Sequence, residues 1–127
     1  MSTDTTSTAT ATPRDVLAAI VTGINSGDLE SLLPLYESRA AFAAEPGVLA
    51  GIHDSLSGFI AMNGTLDLEV TRVLEVADLA LVVGVWSFDG TGPEGEPVHL
   101  EASNADVLRR QADGTWRFVI DNPWGTA

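Results

Sequence analysis

The run of period-two residues between Leu66 and Asn122 restricts the fold of this sequence more than any other feature. Successive side chains of a strand point to opposite faces, so apolar residues at every second position mark a sheet with one buried side. Leu66, Leu68, Val70 and Val73 lead into Leu74 and Val76, and after a turn near Ala77-Asp78 a second strand runs from Leu79 to Phe88. Asp89–Gly95 reads as a long hairpin loop. The next strand spans Val98 to Arg110, turns at Ala112-Asp113-Gly114 and returns from Thr115 to Asn122, before Pro123-Trp124-Gly125. Long antiparallel strands joined by hairpins in so short a chain imply strong curvature. Leu79–Phe88 is apolar on both faces, so one face needs a cavity and the other a further partner. For an exposed apolar sheet face on a small chain that partner is a second copy, which predicts a homodimer.

The first half of the chain is helical. Pro13 suits a first helical turn, and Val16, Leu17, Ile20, Val21 and Ile24 recur on one helix face until Asn25-Ser26-Gly27 stops the pattern. Asp28 is a good N-cap for a second short helix carrying Leu29, Leu32, Leu33, Leu35 and Tyr36, which Pro34 must kink or confine to its early turns. A short strand from Ala40 to Glu45 ends at Pro46-Gly47, and a third helix follows from about His53 to Met62, with Leu56, Phe59 and Ile60 facing one way. The Ser/Thr-rich opening, residues 1–12, has no basic start and no apolar stretch. It reads as a disordered tail, not a signal peptide, on a cytoplasmic protein whose single domain spans residues 13–127.

Composition narrows the chemistry. The 127 residues carry 18 acidic and 6 basic side chains, a formal charge of −12, and every basic one is an arginine. Only Arg109 and Arg110 are adjacent, so neither a nucleic acid nor an anionic membrane surface is an expected partner. No apolar run approaches the roughly 18 residues of a spanning helix. Without cysteine there is no disulfide, thiol nucleophile or thiolate site, and without lysine no Schiff base. No His-x-His, His-x-x-x-His, Gly-x-Ser-x-Gly or phosphate-loop pattern is present, so no metal and no cofactor is expected. Carboxylate, histidine, hydroxyl or amide chemistry remains, or simple ligand binding. His53, beside Asp54 at a helix start, reads as a surface or capping residue, and His99 points away from the cavity. The arginine-only, alanine-rich usage resembles that of a GC-rich bacterial genome.

These elements predict an α+β cone, three helices packed in a strongly curved antiparallel or mixed sheet with an internal pocket. Asn25-Ser26-Gly27-Asp28-Leu29, Gly51-Ile52-His53, and Asp106-Val107-Leu108-Arg109-Arg110 with Gly114-Thr115-Trp116-Arg117 resemble the nuclear transport factor 2-like superfamily, in its ketosteroid isomerase and SnoaL-like polyketide cyclase branch. The resemblance implies the conical pocket and a dimer packed through the sheet. It also implies a reaction in which a tyrosine and a protonated aspartic acid hydrogen-bond a developing enolate while an ionised aspartate moves the proton. The tyrosine position falls on Ile20 and the proton-moving aspartate on Ala44, with Glu45 next to it. Glu45 reaches the cavity only if the strand bulges by one residue. The strand aspartic acid coincides with Asp106.

Alternation from Asp106 places Ala102, Asn104 and Leu108 on its face, with Val82, Gly84 and Trp86 on the neighbouring strand; Phe118, Ile120 and Asn122 share a face of the last strand. A carboxyl among such groups is poorly solvated, which raises its pKa and makes it a donor or general acid near neutral pH. The candidate site is therefore Asp106, with Glu45 as the available base, and Asn104 and Asn122 around a pocket walled by Ile20, Phe59, Val82, Trp86, Leu108 and Phe118. The pocket is expected to suit a small, flat, mostly apolar carbonyl compound, isomerised or cyclised by acid–base chemistry. Two other readings stand beside this one. The same pocket can serve a non-catalytic binding or accessory module, or the fold can be a purely structural dimerisation domain with Asp106 stapling a hairpin through a backbone amide or Arg117.

Overall fold

The computed structural model of the chain describes residues 10–127. Most of the expected tail, residues 1–9, lies outside the described residues. Thr10 and Thr12 are engaged with the fold: the Thr10 carbonyl accepts the Trp116 N–H at 2.9 Å, and the Thr12 hydroxyl caps the first helix by accepting the Asp15 N–H at 3.1 Å. That helix, α1 (Pro13–Ser26), has proline in its first turn and closes on Gly27 at φ 68°, a left-handed position that glycine occupies at little cost. Its buried stripe is Val16, Leu17, Ile20 and Ile24.

The second helix is shorter than its apolar spacing suggests. Asp28 caps α2 (Leu29–Leu32) as expected, but Leu33–Leu35 forms a 3₁₀ turn and Tyr36 begins a strand. Pro34 has no N–H for helix propagation, so the chain leaves the helix there. The strand β1 (Tyr36–Glu45) is consequently four residues longer at its start than Ala40–Glu45. The cause is a non-local partner: β1 runs parallel to the last strand, with Tyr36 opposite Phe118 and Ala41 opposite Ile120. A three-residue strand, β2 (Val48–Ala50), precedes α3 (Ile52–Ala61), so the third helix is interleaved with the first hairpin and not grouped with the N-terminal pair.

Three long strands follow, β3 (Thr65–Val76), β4 (Leu79–Thr91) and β5 (Pro97–Arg110), and then β6 (Trp116–Asp121). The spatial order is β2-β1-β6-β5-β4-β3, antiparallel except for β1 against β6. The sheet is therefore mixed and open. The β4–β5 hairpin is tighter than a loop from Asp89 to Gly95, because the strands stay paired through Asp89–His99 and Thr91–Pro97. Cross-strand pairing holds those polar and glycine residues in strand form against their local propensity. The edge strand β3 is covered by α1: Asn25 donates its amide N–H to the Leu66 carbonyl at 3.0 Å and accepts the Leu66 N–H at 2.7 Å, as a neighbouring strand would.

Alternation holds along β4, where Ala80, Val82, Gly84, Trp86 and Phe88 are buried against the helices while Leu79, Leu81 and Val85 remain exposed. On the outer face they join Leu74 and Val76 of β3 and Ile120 of β6.

Candidate functional site

The inner face of β5 carries Asn104, Asp106 and Leu108, as alternation requires, and Asp106 is 1% exposed. One carboxyl oxygen accepts the backbone N–H of Asn122 at 2.7 Å and the other accepts the Asn104 amide N–H at 2.8 Å. The staple to a backbone amide is thus real, but Arg117 takes no part in it. Gly84, opposite Asn104 on β4, makes room for this arrangement: a methyl group there would lie 2.9 Å from Asn104 Oδ1 and 2.5 Å from the Glu69 carbonyl oxygen. Asn104 Oδ1 is itself buried with no hydrogen-bond partner, an acceptor left open inside the protein.

A second carboxyl joins Asp106. Strict alternation from Phe118 puts Ile120 and Asn122 inside, but the β5–β6 register jumps from Leu108–Phe118 to Val107–Ile120. Val119 is the extra residue of a β-bulge, and beyond it the phase reverses. Ile120 turns outward at 37% exposure and Asp121 turns in. Asp121 Oδ2 accepts the Tyr36 hydroxyl at 2.5 Å, and the Tyr36 ring is stacked on Phe118 at a centroid distance of 4.8 Å.

The Asp106 and Asp121 carboxyls are close enough that each changes the other's ionisation. Burial and the Asp121 charge push the Asp106 pKa well above the usual carboxylate range, against the opposing N–H groups of Asn122 and Asn104. Burial also pushes Asp121 up, to about 6, while the Tyr36 hydroxyl and the Asp106 carboxyl restrain the rise. Burial and the neighbouring Asp121 keep the Tyr36 hydroxyl protonated far above its ordinary range. Both carboxyls hold their protons to higher pH than an ordinary aspartate, Asp106 the more strongly, as two carboxyls sharing a buried site must divide.

Both carboxyls line a cavity of about 60 Å³ walled by Leu17, Ile20 and Ile24 of α1, Phe59 of α3, and Trp86, Phe88 and Phe118 of the sheet. No basic side chain reaches it. Pro123 closes one side; its carbonyl accepts the Trp86 indole N–H at 2.6 Å, and Trp124 packs edge-on against Trp86 at 5.6 Å. Ligand pockets usually run to roughly 300 Å³ or more. The space is thus small for the flat compound expected from the sequence unless lining residues such as Pro123 give way.

Of the residues expected at the site, Asp106, Asn104, Ile20, Phe59, Trp86 and Phe118 meet at this cavity. Val82 and Leu108 are fully buried core beside it and do not line it. Asn122 contributes its backbone N–H, while its side chain turns away to donate to the Gly125 carbonyl at 2.8 Å and to accept the Trp124 N–H at 3.3 Å. The bulge that would have carried Glu45 inward does exist, at Ala44, yet Glu45 is exposed beside the turn into β2 and lies outside the cavity. The residues that alternation missed are Asp121 and Tyr36. The adjacent apolar pair Val119-Ile120 in an otherwise alternating strand was the available sign of the phase slip.

Neither histidine is near the site. His53 is exposed beside Asp54, and His99 on the outer face bridges Asp89 at 2.6 Å and Glu101 at 2.8 Å. Those two hydrogen bonds, Glu101 foremost, raise the His99 pKa. Among the described residues no cluster of three metal-ligating side chains occurs, and no helix is long and apolar enough to cross a membrane.

The architecture is an α+β fold like that of nuclear transport factor 2-like proteins. A superfamily protein from Salmonella enterica serovar Typhimurium superposes with a TM-score of 0.74 at 18% identity, covering 96% of this chain and 94% of that one. A protein described as a candidate ketosteroid isomerase from Shewanella frigidimarina gives a TM-score of 0.66 at 16% identity, over 84% of this chain and 90% of that one. The association domain of CaMKII from C. elegans gives 0.62 at 18% identity, over 84% and 87% of the two chains. No protein-family model and no curated protein matches the chain in sequence. The likeness therefore defines the fold, and the chemistry must come from the site.

Proposed function

We propose that this protein acts on a small, mostly apolar carbonyl compound by acid–base chemistry of the isomerase or cyclase kind, with Asp106 as hydrogen-bond donor and acid. The observation that carries the reading is a buried carboxyl facing an apolar cavity with no basic side chain in its lining, where burial favours the protonated form. Burying such a group costs stability, and a scaffold has no need of it. Asn104 fixes the Asp106 carboxyl and leaves a buried acceptor free for a hydroxyl or N–H of the ligand. The isomerase-like and SnoaL-like resemblance, and a structural neighbour described as a candidate ketosteroid isomerase, agree with this assignment. The functional unit is a homodimer joined through the outer sheet face, where Leu74, Val76, Leu79, Leu81, Val85 and Ile120 are exposed together.

The test is exchange of α-hydrogens of 2-butanone, among the smallest ketones, followed by NMR in D₂O. The protein is expected to accelerate exchange, and Asp106→Asn to lower that acceleration about 100-fold or more, the usual contribution of a positioned acid. Full exchange in Asp106→Asn overturns the role of Asp106. The 60 Å³ volume favours a second reading, a non-catalytic binding or accessory module. Under that reading the wild-type protein shows no acceleration.

A further inference from the structure

We infer that Asp121, turned into the cavity by the β6 bulge and held by Tyr36, is the proton acceptor that works opposite Asp106. The inference rests on the acid–base reading above and supplies the base that reading lacks, since Glu45 is outside. Four observations carry it. Asp121 is 9% exposed and lines the same cavity as Asp106. Its carboxyl receives the Tyr36 hydroxyl, so the ionised form has a fixed donor in a site without cations. It shares the cavity lining with Asp106 and each carboxyl changes the other's ionisation, so acid and base are neighbours before any ligand arrives. Finally, the bulge that exposes Ile120 to solvent has the effect of placing this one carboxyl inside.

The step balances without a cofactor. A carbonyl oxygen accepts a hydrogen bond from the protonated Asp106 carboxyl and comes between it and Asp121. Asp121, separated from that donor, becomes the stronger base and removes a proton from the α-carbon. The C–H electron pair becomes the new C=C bond, and the C=O π pair moves to oxygen, which receives the Asp106 proton. Asp121 then returns a proton to carbon and the enol proton goes back to Asp106, which restores both groups: return to the same carbon after the Asp121 proton has exchanged with solvent leaves an exchanged compound, and return to another carbon of the conjugated enol leaves one shifted in its double bond. Asp121 is the catalytic residue in this sequence. Tyr36 is a positioning residue, because it touches Asp121 and not the cavity contents.

The 2-butanone exchange assay separates this inference from the reading beneath it. Asp121→Asn, isosteric and still able to accept from Tyr36, is expected to lose exchange about 100-fold or more. In Tyr36→Phe the restraint on the Asp121 pKa is lost, so the acidic limb of the pH–rate profile should move upward. A purely packing role for Tyr36 leaves that limb in place. Exchange by the wild type that persists in Asp121→Asn, or an unmoved limb in Tyr36→Phe, overturns the assignment of Asp121 and leaves that of Asp106. Absence of exchange in the wild type overturns the acid–base reading itself. Should Asp121→Asn fail to fold, the Tyr36→Phe profile still decides.

Discussion

Denaturant unfolding at pH 4 and pH 8 should find the wild-type protein less stable at the higher pH, by about 2 kcal/mol or more from the carboxyl pair alone. Asp121 ionises near pH 6 when folded, against 3.8 ordinarily. A carboxyl whose folded pKa is raised holds its proton more tightly in the native state. Its contribution is therefore complete below pH 3.8 and is lost as pH rises through about 6. At about 1.4 kcal/mol for each pH unit, the full span for Asp121 is roughly 3 kcal/mol, and most of it falls between pH 4 and 8. Asp106 is raised further and extends the loss to higher pH. The formal charge of −12 adds general repulsion in the same direction. The Asp106→Asn/Asp121→Asn double variant isolates the pair, because it keeps nearly all of that charge while losing both raised carboxyls. Its stability should fall much less between the two pH values. Equal pH slopes for the two proteins would contradict a buried pair of raised carboxyls.

The second large effect concerns the outer face. Leu81 is 37% exposed and Val85 45% exposed on the outer face of β4, with Leu74, Val76 and Leu79 around the β3–β4 turn. Leu74, Val76, Leu79, Leu81 and Val107 also line an open groove of about 370 Å³ that side chains of a second copy can fill. Sedimentation should therefore report twice the 13.3 kDa chain mass for the wild type. A Leu81→Glu variant should sediment as a single chain, because it places a charge with no partner at the centre of the apolar face. Neither the cavity nor its hydrogen bonds involve Leu81, so the folded chain should persist. A wild-type monomer at concentrations where the variant is also monomeric would remove the interface.

The long strands, their inner and outer faces and the burial of Asp106 were legible in the sequence, because alternation in β4 and β5 runs without interruption from Leu79 to Phe88 and from Ala102 to Leu108. Period two reports one face reliably only while the register holds. Val119 breaks it, and with it went Asp121. The parallel pairing of β1 with β6 joins residues about 80 positions apart, which no local pattern records. That pairing turned Tyr36 from an expected helical residue into the first residue of β1, bonded to Asp121. The size of the cavity was hidden for a similar reason. Pro123, which lines it, folds back onto Trp86 and accepts the indole N–H with its carbonyl, a contact from beyond the last strand.

The buried carboxyl pair is tested most directly by titrating the aspartate carboxyl carbons by NMR, with Asp106→Asn and Asp121→Asn to assign the two resonances. Two coupled titrations are expected, Asp121 near pH 6 and Asp106 well above the ordinary aspartate range, with the Asp121 midpoint changing when Asp106 is replaced. Independent titration of both groups close to 3.8 would contradict the protonated carboxyl on which the functional reading rests.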